Sequence, residues 1–436
     1  MSLIPEDVIE AVRQAVDITD LIGRYVPLKR SGRSFKGCCP FHEEKTPSFH
    51  VWQETSTWKC FGCGKGGNLF GFLMEREGLT FPEAARQLAR EAGIEIEAES
   101  PEARRRAGHL QRLRELNEWA CRFFEAGLRG PRGEGARAYF KRRGITGETA
   151  LAFRLGYAPP GWDNLLRAAL ASGWTEDELA EGGLVVRRDD GGRNKVYDMF
   201  RDRVVFPIAD PQGRVIAFGA RTLGDDEPKY VNSPETPLYT KGRHLYALHL
   251  AKQEMMRTGE GAVMEGYTDV ILAHQAGWPV AVAGLGTALT PQQASHLSRY
   301  VKRLWLVYDG DAAGRRAAEK AIPAFLAEDI ETRVALLDGG QDPADLVVAG
   351  GADALRAAIA DGREAFEHLL EVTAAEHDAT SVPGRAAATE AVLEALAGVT
   401  DEIRRALYLK RLADAYGVPE DVVAGRLREI ARRHQE

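Results

Sequence analysis

The stretch GAVMEGYTDVILAHQAGWPVAVA, residues 261–283, decides the architecture of this chain. Its opening apolar run, Gly261 to Glu265, has the length of a buried strand. Thr268 to Ala276 carries apolar residues at helical spacing, and Val280 to Ala283 returns to a strand pattern. The alternation continues downstream. Thr290 is an N-cap and Pro291 a first-turn proline for a helix to Tyr300. Leu304 to Tyr308 reads as a strand, Ala312 to Ala327 as a helix and Thr332 to Leu337 as a strand. Strands alternating with helices at this spacing predict a parallel sheet with helices on both faces.

Acidic residues stand where these strands end. Glu265 closes the first, Asp309 and Asp311 follow Leu304 to Tyr308, and Asp269 lies one helical turn beyond Glu265. Ligands of open α/β sheets bind beyond the carboxyl ends of strands. Carboxylates there repel phosphate but suit Mg²⁺, a hard cation that keeps waters for substrate oxygens. Asp338, Asp342 and Asp345 follow the last strand and can add ligands. The plainer alternative is that such acids cap helices, and Asp311 before Ala312 fits it well.

Upstream, Cys39-Pro40-Phe41-His42 and Cys60-Phe61-Gly62-Cys63 form two knuckles, Cys-x2-His and Cys-x2-Cys, separated by 17 residues. Cys39, His42, Cys60 and Cys63 make a closed tetrahedral set for one structural Zn²⁺. Cys38 and His50 are possible substitutes, and Cys121 reads as a small core residue. Trp52, Trp58, Phe61 and Phe35 stand among Arg30, Arg33, Lys36, Lys45, Lys59 and Lys65. Rings between cations suit single-stranded nucleic acid; the alternative for each ring is the mini-core of a small zinc module.

The rest of the chain sets limits. At 436 residues it calls for several domains. Met1 to Val16 is a polar amphipathic helix rather than a signal peptide, and no apolar run reaches the roughly 18 residues of a membrane span. The cysteines are too few for a disulfide framework and point to a reducing, cytoplasmic setting. The net charge of −7 is unusual for a nucleic-acid binder, but basic residues crowd Arg104 to Arg143. More recur beside the apolar runs Val204 to Ile208 and Val215 to Gly219: Arg201, Arg203, Arg221, Lys229, Lys241 and Arg243. These can track a template backbone or neutralise a triphosphate, although any one of them alone reads as a solvated charge.

Taken together these motifs resemble the bacterial DnaG-type primase family over nearly the whole chain. The run from Cys39 to Phe49 with Cys60 to Gly64 is similar to its zinc-binding domain. Gly156 to Pro159, Arg201 to Pro207, and Lys229-Tyr230-Val231-Asn232-Ser233-Pro234-Glu235-Thr236-Pro237 with Lys241-Gly242-Arg243 resemble its basic polymerase subdomain. Glu265 to Val270 and Asp309 to Gly314 look like its TOPRIM metal motifs.

The resemblance implies a multidomain α+β and α/β fold. Its parts are an N-terminal zinc ribbon (1–96), a linker (97–108), a mixed α+β basic subdomain (109–253), a doubly wound TOPRIM parallel sheet (254–353) and a C-terminal helical subdomain (354–436). It implies RNA-primer synthesis on a single-stranded DNA template from ribonucleoside triphosphates by a cytoplasmic monomer. Glu265, Asp309 and Asp311 would hold Mg²⁺ or Mn²⁺, with Asp269 and Asp345 assisting. Arg143, Arg201, Arg203, Arg221, Lys229, Tyr230, Asn232, Lys241 and Arg243 would meet template or nucleotide.

Two departures stand out. The family often reads Asp-Pro-Asp after its last TOPRIM strand, and here the sequence is Asp342-Pro343-Ala344-Asp345, where Ala344 offers no ligand atom. The family partner is the replicative helicase, and its docking module is expected to be absent from this chain. A TOPRIM nuclease or topoisomerase, and a non-catalytic zinc-ribbon adaptor, are the competing readings.

Overall fold

Side chains that alternate between interior and solvent build the first sheet. Phe49 and Val51 turn inward from one strand, Trp58 and Cys60 from the next. The structure, a computed structural model, describes residues 4, 6–32, 34–94, 101–190, 193–224, 226–286, 288–337 and 343–435. It divides into two units, Met1–His109 and Leu110–Glu436. In the first, helices α1 (Glu6–Ala15) and α2 (Ile18–Gly23) precede five strands: β1 (Lys29–Ser31), β2 (Ser34–Gly37), β3 (Phe49–Trp52), β4 (Thr57–Cys60) and β5 (Gly66–Asn68). The strands pair in sequence order as an antiparallel meander. Helices α3 (Leu69–Glu77) and α4 (Phe81–Glu91) follow. Asn68 caps α3 by accepting the Gly71 N–H at 2.9 Å, and the Glu83 carboxylate accepts the Thr80 N–H at the start of α4.

Helix α5 (Pro101–Arg129) spans the boundary at Leu110, and α6 (Glu134–Arg142) and α7 (Gly147–Ala152) follow in the second unit. Residues 101–108, assigned to a linker above, are therefore helical; residues 95–100 lie outside the described residues. Next come β6 (Gly156–Ala158), α8 (Asn164–Ala171), α9 (Glu176–Glu181) and the hairpin β7 (Val185–Asp190) and β8 (Arg193–Asp198). Strands β9 (Arg203–Ala209), β10 (Val215–Thr222) and β11 (Tyr230–Asn232) complete an antiparallel sheet of order β11-β10-β9-β6.

The strand–helix alternation then appears as α10 (Leu248–Thr258), β12 (Glu260–Met264), α11 (Tyr267–Gln275), β13 (Ala281–Ala283), α12 (Pro291–Leu297), β14 (Arg303–Asp309), α13 (Ala312–Leu326), β15 (Glu331–Leu337) and α14 (Pro343–Ala360, broken at Gly350 and Gly351). The sheet order is β13-β12-β14-β15, all parallel, extended by β16 (Arg363–Glu364). Strand β16 runs antiparallel to β15, a short edge added to the expected parallel sheet. A two-residue edge strand carries too little periodicity to be seen in sequence. Helices α15 (Ala365–Glu376), α16 (Val382–Leu396), α17 (Glu402–Tyr416) and α18 (Glu420–Gln435) close the chain. Among the described residues no helix is long and apolar enough to cross a membrane.

The two large sheets of this unit share one core. The Tyr267 ring at the start of α11 stacks on Phe206 of β9 at 4.8 Å and meets Tyr246 edge-on at 4.7 Å. A Cβ on Gly219 of β10 would fall 2.4 Å from the Tyr267 hydroxyl. This close approach sets β12 and its carboxyl end against the antiparallel sheet.

Candidate metal centres and nucleic-acid interface

The Cys39, His42, Cys60 and Cys63 ligand atoms lie within 4.8 Å of one another. With Zn–S bonds of about 2.3 Å, a tetrahedron has edges of about 3.8 Å. The structure gives 3.9 Å for Cys39 Sγ to Cys63 Sγ and 3.8 Å for Cys60 Sγ to His42 Nδ1. Backbone N–H groups aim at the sulfurs, Phe41 at Cys39 (3.4 Å) and Gly62 and Cys63 at Cys60 (3.3 and 3.4 Å). His42 Nε2 faces the Glu44 carboxylate at 3.3 Å, which fixes the ring so that Nδ1 meets the thiols. Gly62 is required here, because a Cβ would sit 2.6 Å from His42 Nε2.

Burial pushes the Cys39 thiol well up, and the neighbouring cysteines add to it. Burial opposes ionisation of Cys60 too, but Ser48 and the Cys63 and Gly62 N–H groups outweigh it and the thiol is lowered. Three thiolates this close need a cation between them, so the donor set fits zinc. Of the substitute ligands, Cys38 is exposed and outside the set, and His50 is taken by Ser34 Oγ at 3.2 Å.

The aromatic residues around this centre divide between two roles. Trp58 is buried, stacked on Phe49 at 5.3 Å, with its indole N–H donating to the Asn68 carbonyl at 3.1 Å. Phe61, 63% exposed, stands with His50 and Trp52 in an open cluster, with Lys59 Nζ 5.8 Å from its ring.

In the second unit the chain leaves β12 toward β13, crosses back to β14 and continues to β15. That reversal is a topological switch point, and the acidic residues gather at it. Glu265 follows β12, and its Oε1 accepts the Asp309 N–H at 3.0 Å across 44 positions of sequence. Partial burial raises the Glu265 pKa first, Asp309 and Asp311 raise it further, and the Asp309 N–H opposes them. Asp311 Oδ1 accepts the N–H groups of Ala313 and Gly314, each at 2.8 Å. Capping is therefore part of what Asp311 does.

Asp269 is buried and accepts the Gly266 N–H at 3.0 Å, closing the first turn of α11. Asp345 is exposed in the first turn of α14, while Asp338 and Asp342 lie outside the described residues. Among the described residues only the Cys/His set converges on one point. The carboxylate edge is open, a geometry that suits a cation completed by water and phosphate oxygens.

Gly314 holds this edge tight. Its Cβ would lie 2.2 Å from the Asp309 carbonyl and 2.8 Å from Glu265 Oε1. Gly314→Ala is expected to cost about 2 kcal/mol in strain. Gly425→Ala in α18, with nothing within 4 Å, should instead stabilise by up to about 1 kcal/mol. Urea denaturation of both variants checks the opposite signs.

Cations and rings gather around Tyr230, whose ring meets Tyr267 at 6.3 Å. Arg221 lies 4.7 Å over the Tyr139 ring and 5.9 Å from Tyr230, and Arg143 lies 5.9 Å from Tyr139. Among the described residues Arg221 Nε is buried without a partner, a donor suited to an anion. Desolvation pushes the Tyr230 hydroxyl up to about 12, Tyr139 and Asp269 raise it further, and Arg221 and Arg143 oppose them.

The other predicted contacts have local partners. Arg203 is buried and donates to the Lys229 carbonyl at 3.1 Å. Asn232 accepts the Tyr267 hydroxyl at 2.7 Å and donates to the Leu285 carbonyl at 3.0 Å, tying β11 to the parallel sheet. Gln293 of α12 donates to the Lys241 carbonyl at 3.0 Å, and Lys229 and Arg243 are exposed. Arg201 sits 4.6 Å over Trp162, an exposed ring that the sequence reading passed over. Two more missed residues, Arg316 and Lys320, line a 360 Å³ crevice with Glu265 and Gly286. Their i, i+4 spacing on the helix that leaves the Asp309–Asp311 turn was the available signal. Tyr267 and Tyr308 are buried, so neither hydroxyl is offered to DNA as a topoisomerase would require.

Family models match in chain order: CHC2 zinc finger over residues 4–104, DNA primase catalytic core, N-terminal domain over 123–252, Toprim-like over 262–347, and DnaB-helicase binding domain of primase over 366–421. The last match overturns the expectation that the helicase-docking module is absent. It covers α15 to α17, helices whose sequence carries no ligand or catalytic motif and so read as plain tail.

The DNA primase of Pseudomonas aeruginosa is 40% identical over 95% of this chain, which spans 64% of that relative's length. The DNA primase of Halalkalibacterium halodurans is 37% identical, covering 99% of this chain and 73% of the relative. A solved structure of the DnaG primase catalytic domain bound to ssDNA superposes with a TM-score of 0.64 at 35% identity, over 72% of this chain and 99% of that one. With its zinc quartet, its acidic switch point and relatives this similar over nearly its full length, the chain belongs to the DNA primase family.

Proposed function

We propose that this chain synthesises short RNA primers on single-stranded DNA. The observation that carries the reading is the Glu265–Asp309–Asp311 edge at the switch point, with Tyr230 and its Arg221 and Tyr139 neighbours reaching Tyr267 at the start of α11. Its parts are the zinc module (1–96), the basic subdomain (109–253), the catalytic sheet (254–353) and the helical subdomain (354–436). It works in the cytoplasm as a monomer, and its helical subdomain docks the replicative helicase through 366–421.

The reaction joins a 3′-hydroxyl to the α-phosphorus of a ribonucleoside triphosphate and releases pyrophosphate, with no protein nucleophile. Glu265, Asp309 and Asp311 would hold Mg²⁺ or Mn²⁺, with Asp269 closing the Gly266 turn and Asp345 assisting. When bound, the divalent cation supplies charge neutralisation at the reacting oxygens. Arg221, Arg143, Lys229 and Lys241, with Arg316 and Lys320 from α13, neutralise triphosphate and orient it. Arg201 over Trp162, together with Arg203 and Arg243, tracks the template. Tyr230 and Asn232 shape the wall beside the nucleotide.

The Phe61, Trp52 and His50 cluster offers a stacking surface to unpaired bases. Phe61→Ala should lower affinity for single-stranded DNA about tenfold, read by fluorescence anisotropy, with zinc content unchanged. Equal affinity would remove that role.

The decisive test incubates the protein with single-stranded DNA, labelled ribonucleotides and Mg²⁺ or Mn²⁺, and resolves the products on a denaturing gel. Short ribonucleotide products that vanish with a chelator support the proposal. Absence of product on several templates with both metals overturns it for this chain.

A further inference from the structure

An apolar hollow of the second unit plays no part in this chemistry. It measures 660 Å³ and lies between the end of α5, α6 and α7, within the roughly 300–1,000 Å³ of pockets that hold ligands. Leu128, Phe140, Ile145 and Leu155 form a nearly buried floor, and Leu151 stands on its wall 67% exposed. Phe140 turns into it, while its neighbour Tyr139, outside the lining, carries Arg221 over its ring.

The rim is cationic. Arg129, Arg137 and Lys141 line it and are exposed, and none has a carboxylate partner among the described residues. Arg137 donates only to the carbonyls of Leu128 and Gly130, at 2.6 and 2.8 Å. The one acid in the lining, Glu125, is held by Arg154 at 2.8 Å. The hollow is therefore an apolar floor under unneutralised positive charge.

The geometry points to a docking groove for an acidic peptide segment of a partner protein, one that inserts large apolar side chains between the carboxylates of its flanks. Charge complementarity selects the acidic character, and the aliphatic floor selects leucine- or phenylalanine-like anchors. Single-stranded nucleic acid shares the charge but needs exposed aromatic faces, and the groove's Phe140 is its floor rather than a platform. None of the residues used here belongs to the catalytic or template set, so the groove stands independently of the proposed activity.

The test uses the whole chain and a short fluorescein-labelled peptide alternating Asp with Leu and Phe, followed by anisotropy. Versions with Ser for Leu and Phe, and with Lys for Asp, are the controls. The acidic apolar peptide should bind, both controls should fail, and added salt should weaken binding. Leu151→Asp and, separately, Lys141→Glu should each weaken it about tenfold, with thermal melting and primer synthesis unaltered. Absence of binding, or equal affinity in both variants, overturns the proposal. So does displacement of the peptide by an oligo-dT strand whose own affinity falls in Leu151→Asp, because the groove would then hold nucleic acid.

Discussion

Asp309→Ala should reduce primer synthesis by about 10³-fold or more, with zinc content and single-strand binding at the parent's level. The reasoning is local. Asp309 ends β14 at the switch point, and its backbone N–H, not its side chain, holds Glu265 at 3.0 Å. Alanine keeps that N–H, so Glu265 and the strand register remain while one carboxylate is lost from the edge. Burial raises Glu265 and the neighbouring Asp309 and Asp311 carboxylates raise it further, a repulsion that a cation at this edge would relieve. Glu265→Gln should give a loss of similar size for the complementary reason: the amide oxygen still accepts the Asp309 N–H, but the charge is gone. Both variants are read by chelator-sensitive product formation on a denaturing gel. Parent-level synthesis by Asp309→Ala would remove the carboxylate edge from the chemistry.

Cys60→Ser should release zinc and unfold the Met1–His109 unit. Structural zinc contributes about 10–16 kcal/mol in small zinc modules, comparable with or larger than the roughly 5–15 kcal/mol that holds a whole domain together. Cys60 is buried at the end of β4, where it receives two backbone N–H groups and lies 3.2 Å from Ser48 Oγ. The strand that carries it also carries Trp58, the centre of the aromatic core with Phe41, Phe49 and Phe72. Loss of the ligand should therefore appear as lost metal, altered Trp58 fluorescence and rapid proteolysis within this unit. Cys38→Ser, one position from Cys39 but exposed and outside the quartet, should change none of the three. Full zinc content in Cys60→Ser would mean that a different ligand set holds the metal.

Much of this molecule is written in short-range signals. The two knuckles could be read because zinc chemistry demands ligands at a fixed small spacing, and a tight turn supplies it. The alternating elements from Gly261 to Leu337 could be read because each strand and helix announces itself by period, cap and proline. Glu265, Asp309 and Asp311 could be placed at strand ends for the same reason, since chain position alone fixes which end of a parallel strand they occupy.

Other features depended on what the chain meets after folding. Trp58 and Phe61 are three residues apart with the same chemical character, yet one is core and the other open surface; the pleat of β4 and its neighbours decide which. Asn232 and Arg203 read as nucleotide contacts, but their nearest partners are Tyr267, the Leu285 carbonyl and the Lys229 carbonyl. Asp269 became a buried turn-closing carboxylate, and Arg316 and Lys320 entered the crevice only because α13 packs on β14, whose neighbour β12 ends at Glu265. The sequence by itself determined which elements form and which residues can ligate a metal, because those follow from backbone sterics and ligand chemistry over a few residues. The tertiary structure alone decided strand order, which face is exposed and which charges stand together, because those are set by contacts between segments far apart in the chain.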